Sequence, residues 1–83
     1  MKEYMEGLRY DTEKASFTGT HKGLNHEEKL FRTHKSRWVL VYEFSSPGAA
    51  MNPLTEEQAE SWMRDHQLMD ALDEYFPGKV EDA

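Results

Sequence analysis

Cysteine is absent from this chain of 83 residues. Disulfide bonds and thiolate metal sites are therefore excluded, and the composition fits a reducing cytoplasm. Long apolar runs are also missing: the longest, WVLVY, is far shorter than the ~20 residues that a membrane helix needs. The charged start, MKEYMEGLRY, does not resemble a signal peptide. We expect one soluble, non-exported domain over residues 1–83, with loose ends at 1–6 and 79–83.

Charge is abundant but unevenly distributed along the chain. Residues 1–50 carry eight Lys and Arg against seven Asp and Glu, a net of +1. Residues 51–83 carry two against nine, a net of -7, which gives the total of -6. Such asymmetry indicates either a partner with its own polarity or a solvated face that keeps a small protein soluble.

The first half of the chain has the alternation typical of strands. Strands are predicted at about 7–10, 15–21, 27–33 and 37–44, with a turn at 11–14. The last of these is apolar on both sides, which is typical of a central strand. The three-residue turn at 34–36 makes its two flanking strands antiparallel neighbours and favours positive φ at Ser36. Residues 45–48 are expected to end the sheet, and Pro53 to close a loop.

The second half has helix signals. Thr55 and Gln58 form a predicted capping box, and Leu54 can pack on Ala59 as a hydrophobic staple. The inward positions of this helix are Ala59, Trp62, Met63 and His66. A second helix is expected at about 67–76, with inward Leu68, Met69, Leu72, Tyr75 and Phe76, before Pro77-Gly78 stops it. The predicted fold is α+β: an antiparallel sheet of three or four strands with two C-terminal helices packed on one face.

Motifs for catalysis or cofactor binding are not evident. The four histidines, His21, His26, His34 and His66, lack helical i,i+4 pairing and are expected to be scattered, without a metal site. Glycine-rich phosphate loops are also missing. Ser36 near His34 lies on an exposed hairpin tip, which cannot exclude water. We therefore expect neither an enzyme nor a cofactor.

Two charged sets are candidate binding surfaces. Seven carboxylates in the helical region can imitate a phosphate backbone toward a protein that grips nucleic acid: Glu56, Glu57, Glu60, Asp65, Asp70, Asp73 and Glu74. The alternative is direct nucleic-acid binding by the basic hairpin, through Lys29, Arg32, Lys35 and Arg37. Against this alternative, Lys29 and Arg32 should point to opposite sides of their strand, and the net charge of -6 repels a duplex.

Several stretches resemble a family of small proteins from phages, prophages and other mobile elements, most of them without assigned function. The resemblance is carried by RYDTEKA (9–15), LFRT (30–33), RWVLVYE (37–43) and NPLTEEQAESW (52–62). Ser36 replaces the family's usual turn glycine, and no active-site residue can be carried over. Anti-CRISPR proteins are similar in size and charge. The resemblance implies a stoichiometric inhibitor of a host nucleic-acid-handling complex in the bacterial cytoplasm. A monomer or weak dimer is expected, since an edge strand at 7–10 can pair with a second copy.

Overall fold

The computed structural model describes residues 2–44 and 48–78. Within these ranges the elements are β1 (Lys2–Met5), β2 (Leu8–Asp11), β3 (Ser16–Lys22), β4 (His26–Arg32), β5 (Trp38–Phe44), β6 (Ala49–Leu54), α1 (Glu56–Asp65) and α2 (Met69–Tyr75). A short 3-10 helix, Thr12–Lys14, joins β2 to β3. The predicted α+β class is confirmed. No helix within the described ranges is long and apolar enough to span a membrane.

The strands form two antiparallel sheets. The larger has the order β3-β4-β5-β6, and the smaller is the hairpin β1-β2. Strands β4 and β5 pair over their whole length, from His26 opposite Phe44 to Arg32 opposite Trp38. The turn between them places Ser36 at a φ of 64°, as the sequence predicts, in the left-handed region that favours glycine.

The central strand β5 separates two apolar clusters. Trp38 and Leu40 pack on one side with Leu30, Ala59, Trp62, Met63 and Leu72. Val39 and Val41 pack on the other side with Tyr10 and Met51, flanked by Met5, Leu8 and Phe31. Successive side chains of a strand point to opposite faces, so the clusters lie on opposite faces of the larger sheet. We call α1 and α2 the helix layer, and β1 and β2 the hairpin layer.

The start of α1 follows the predicted capping box. The backbone N–H of Gln58 donates to Thr55 Oγ1 at 3.1 Å, and the backbone N–H of Thr55 donates to Gln58 Oε1 at 2.9 Å. Both bonds satisfy donors near the first turn that the helix itself leaves without partners. Ala59, Trp62 and Met63 are buried, so this helix is anchored on the sheet as expected.

The N-terminal segment differs from the expectation of a loose lead-in. Lys2–Met5 forms β1, which pairs with β2 from Lys2 opposite Asp11 to Met5 opposite Leu8. Glu6 and Gly7 connect the strands at φ values of 54° and 76°. Two consecutive left-handed residues produce the tight turn whose twist matches a hairpin. Three of the four β1 side chains are exposed, so their pattern carried no strand signal.

The region after β5 also differs from the expectation. The expectation that residues 45–48 end the sheet is wrong, because Ala49–Leu54 forms β6, its fourth strand. Pro53 lies within β6 opposite Val39 rather than in a loop. Proline has no N–H to donate, and an edge strand tolerates this because only one side is paired. Residues 45–47 and 79–83 lie outside the described residues.

The second helix is shorter than predicted. It begins at Met69, follows Leu68 as its N-cap residue, and has Leu72 as its buried side chain. Met69 is 41% exposed, so its predicted inward position is wrong. Leu68, Tyr75 and Phe76 pack against the helix-side cluster as expected. Leu68 and Leu72, four residues apart, occupy the face that meets the core, and Met69 lies one residue further around the helix.

Candidate functional site

The predicted acidic surface lies on the outside of the helix layer. Six of its seven carboxylate side chains are exposed: Glu56, Glu57, Asp65, Asp70, Asp73 and Glu74. They project from two helices whose buried sides are fixed to the sheet by Trp62, Met63 and Leu72. The acidic side chains are therefore carried on regular, anchored backbone.

Glu60 differs from the other carboxylates of this set. It is half-buried and accepts a hydrogen bond from Arg64 Nη2 at 2.6 Å, one turn along α1. Arg64 is the one Lys or Arg between Glu56 and Tyr75. Glu60 is thus compensated within the helix, and the exposed carboxylates dominate the charge of the layer.

Glu74 has a neighbour that links the acidic surface to the core. Its carboxylate, together with partial burial, raises the pKa of the Tyr75 phenol. Tyr75 in turn packs edge-on against Trp38, with ring centroids 5.1 Å apart. The raised pKa keeps the phenol protonated. The ring contact with Trp38 holds the end of α2 against β5.

The structure separates the four residues of the basic hairpin alternative. Lys29 Nζ lies 3.2 Å from Glu43 Oε1 and 3.8 Å from Glu27 Oε1. The Arg32 guanidinium lies over the Trp38 and Tyr75 rings, at 4.7 Å and 5.2 Å from their centroids. Lys29 pairs with carboxylates and Arg32 stacks on aromatic rings of the helix side, so the prediction that they point to opposite sides is confirmed.

Lys35 and Arg37 instead line a cavity of about 510 Å³. We call it the basic cavity, and its walls are Leu8, Arg9, Tyr10, Asp11, Lys14, Thr33, His34, Lys35 and Arg37. Arg9 and Lys14 come from β2 and the 3-10 helix and were not among the predicted binding residues. Both lie in the RYDTEK segment at 9–14. The four cations of the cavity, Arg9, Lys14, Lys35 and Arg37, come together because this segment packs beside the β4-β5 turn.

A cluster of histidines and one glutamate lies between the sheet and the end of α1. The His21 and His66 rings are stacked, with centroids 3.9 Å apart and an angle of 22° between their planes. Glu28 completes the cluster, and one potential ligand atom from each residue lies within 4.8 Å of the others. The expectation that the histidines are scattered is therefore wrong for His21 and His66. Cross-strand pairing of His21 with Glu28 brings the two strands' side chains together.

The Glu28 carboxylate is held by two further side chains. Trp62 Nε1–H donates to its Oε1 at 3.2 Å, and His26 Nε2 lies 3.1 Å from its Oε2. Burial opposes ionisation of this carboxyl, but the bonds from Trp62 and His26 and the nearby His26 and His66 outweigh it and lower its pKa. Glu28 is therefore a fixed, ionised carboxylate beside the stacked imidazoles.

No family model matches this chain, and comparisons with curated proteins and with solved structures find no match.

Proposed function

We propose that this protein is a non-catalytic inhibitor that binds a host nucleic-acid-handling complex through the helix layer. The carrying observation is the set of six exposed carboxylates on two helices anchored to a single core. In this proposal the carboxylates take the place of phosphates in a groove lined by Lys and Arg. The resemblance to small mobile-element proteins, inferred from the sequence motifs alone, favours a target in the bacterial cytoplasm, such as a CRISPR effector.

Electrostatics favours the helix layer over other surfaces for such a partner. Proteins that bind nucleic acid present cationic grooves, whose fields attract anionic surfaces and speed their association. Arg64 is the one Lys or Arg between Glu56 and Tyr75, and it already pairs with Glu60. Within residues 2–44 and 48–78, none of the six exposed carboxylates forms an ion pair, so no such pair has to break when they meet a cationic groove.

Anchoring of the helices supports the same proposal. Ordering of flexible segments on binding reduces affinity, whereas a preformed surface avoids that cost. The capping box fixes the start of α1, and Ala59, Met63 and Leu72 are almost completely buried beneath the two helices. The acidic surface is thus preformed.

The test compares two triple variants of equal charge. The helix variant is Glu57→Gln/Asp70→Asn/Asp73→Asn, and the control is Glu3→Gln/Glu6→Gln/Glu13→Gln on the exposed side of the hairpin layer and its adjoining turn. Each removes three negative charges, so a difference between them reports position rather than net charge. Tagged proteins capture partners from nuclease-treated bacterial lysate, and captured partners are identified by mass spectrometry.

Purified partner is then titrated with each protein while its binding to a labelled nucleic acid is followed. We expect wild type and control to displace the nucleic acid, and the helix variant to require at least about 10-fold higher concentration because three charge pairs are lost. Higher salt should weaken the wild type strongly. If both variants displaced the nucleic acid equally well, the acidic side chains would only solvate the helix layer and would not bind the partner.

The basic cavity favours a second candidate function, direct binding of nucleic acid. Arg9, Lys14, Lys35 and Arg37 around one concavity can contact successive phosphates. Fluorescence anisotropy with a labelled single-stranded oligonucleotide tests it without a partner. On this candidate, wild type binds and Lys35→Gln/Arg37→Gln does not, while the helix variant binds more tightly because it repels phosphate less.

A further inference from the structure

We propose that His21, Glu28 and His66 bind a divalent transition-metal ion of the zinc class. Two imidazole nitrogens and one carboxylate oxygen form a donor set that such ions use in proteins, with a fourth position left to water. This proposal is independent of the inhibitor proposal, because it concerns the junction of β3, β4 and α1 rather than the exposed acidic surface.

Strand register places the first two ligands. His21 and Glu28 are directly opposite each other in the β3-β4 pair. Glu28 alternates with buried Leu30 along β4, so it shares the face that packs on the helix layer. The Trp62 hydrogen bond to Glu28 confirms that this side chain points toward α1. Both ligands therefore lie beneath the end of the helix.

The end of α1 supplies the third ligand. His66 is the C-cap residue, and its backbone N–H donates to the carbonyls of Trp62 and Arg64. Its ring stacks on His21 and meets the Trp62 ring edge-on at 4.8 Å between centroids. Backbone and ring contacts thus hold His66 directly above the cross-strand pair.

The distances are close to those that metal binding needs. Ligand atoms on a tetrahedral zinc ion, with bonds of about 2.0–2.2 Å, are separated by roughly 3.4 Å. The three candidate atoms lie within 4.8 Å of one another, so they must approach by up to about 1.4 Å. The nitrogen lone pairs of stacked imidazoles lie in the ring planes and do not converge on one point. One ring must therefore also rotate about its Cβ–Cγ bond to direct its lone pair at the metal ion. Both rings are only half-buried, and this torsion has a broad minimum.

The surroundings of Glu28 match those of a metal-ligating carboxylate. Such ligands are oriented by hydrogen bonds from neighbouring side chains. Trp62 donates to one Glu28 oxygen, and His26 contacts the other. Each oxygen retains a second lone pair, so a metal ion can bind without loss of the Trp62 hydrogen bond.

Calorimetric titration of metal-free protein with ZnCl₂ tests the proposal. We expect one zinc ion per chain for wild type, and at least about 100-fold weaker binding for His21→Ala and for His66→Ala, since each loses one of three ligands. The matched control is His34→Ala, which removes an exposed histidine of the β4-β5 turn and should bind like wild type. His26→Ala should weaken binding about 10-fold through its contact with Glu28.

A second measurement keeps the test valid if a variant fails to fold. In wild type, zinc should shift the imidazole NMR signals of His21 and His66 and leave those of His34 unchanged. Free zinc at 100 times Kd should also raise the Tm by about 15 °C. The proposal would be overturned if wild type did not bind one zinc ion per chain, or if His34→Ala lost as much zinc affinity as His21→Ala and His66→Ala. It would also be overturned if zinc left the His21 and His66 signals unshifted. The cluster would then be a polar packing contact only.

Discussion

The helix layer and the hairpin layer cover opposite faces of one sheet but differ in charge. The helix layer exposes six carboxylates of the acidic set, whereas the hairpin side contributes Arg9 and Lys14 to the basic cavity beside Lys35 and Arg37. The hairpin side also exposes Glu3, Glu6 and Glu13, so its charge is mixed, whereas the helix layer is predominantly acidic. The four cations of the basic cavity lie around Leu8 and Tyr10 of the hairpin layer, apart from the acidic surface on the helix layer.

The two layers also hold their charges differently. The acids project from two helices with buried inner sides, of which α1 also has a capping box. The cations come from β2, the 3-10 helix and the β4-β5 turn. Regular backbone fixes the spacing of the acids, but the cations meet only because two turns pack side by side. The acidic surface is accordingly less sensitive to rearrangement of loops.

The largest expected effect comes from Trp38→Ala. Trp38 is 1% exposed and packs against Tyr75 and Phe76, so its loss leaves a cavity between β5 and the helix layer. We expect the free energy of unfolding to fall by about 3–5 kcal/mol, measured by urea denaturation. Phe44→Ala is the control, because Phe44 is 50% exposed at the other end of β5 and should cost much less. A loss below about 1 kcal/mol for Trp38→Ala would contradict the described core.

A smaller effect is expected from Thr55→Ala, which acts on the helix layer alone. The substitution removes the Oγ1 acceptor of the Gln58 N–H and should cost about 1 kcal/mol of unfolding free energy. Amide hydrogen exchange should accelerate first in the opening turn of α1 and leave the hairpin layer unchanged. Thr55→Ser retains the hydroxyl and should restore most of the loss. Equal destabilisation by Ala and Ser would show that the cap does not stabilise α1.

The smallest effect concerns the pH dependence of the contact between Glu28 and α1. Because its pKa is lower in the folded protein than its usual 4.5, ionised Glu28 stabilises the fold above that pH. This contribution is lost as the pH falls through the folded-state pKa. In chelator-treated buffer, the difference in unfolding free energy between wild type and Glu28→Gln should shrink from pH 5 to pH 3. A difference that widens between pH 5 and pH 3 would contradict the assignment.

Sequence patterns were sufficient for the elements with strong local signals. Alternation located β4 and β5, and the capping box located the start of α1. The patterns failed for β1, which has an exposed, charged KEYM sequence, and for β6, which contains Pro53. Both strands are specified by pairing with a neighbour rather than by their own composition.

The candidate sites divide in the same way. The acidic surface follows from helical spacing, so its residues could be predicted before the fold was known. The basic cavity and the histidine cluster depend on contacts between distant segments. His21 lies on β3 and His66 at the end of α1, and no local spacing links them. Only the register of the sheet and the docking of the helix bring these rings together.

The alternation within β5 has a consequence for how this chain tolerates length changes. Trp38 and Leu40 pack in the core beneath the helix layer, while Val39 and Val41 pack in the core beneath the hairpin layer. One inserted or deleted residue inside β5 would exchange these sets, since a strand's side chains change face with each step. Both cores would then receive side chains of the wrong volume at once. Insertions and deletions that preserve the fold should therefore accumulate in the connecting loops, and β5 should keep a constant length.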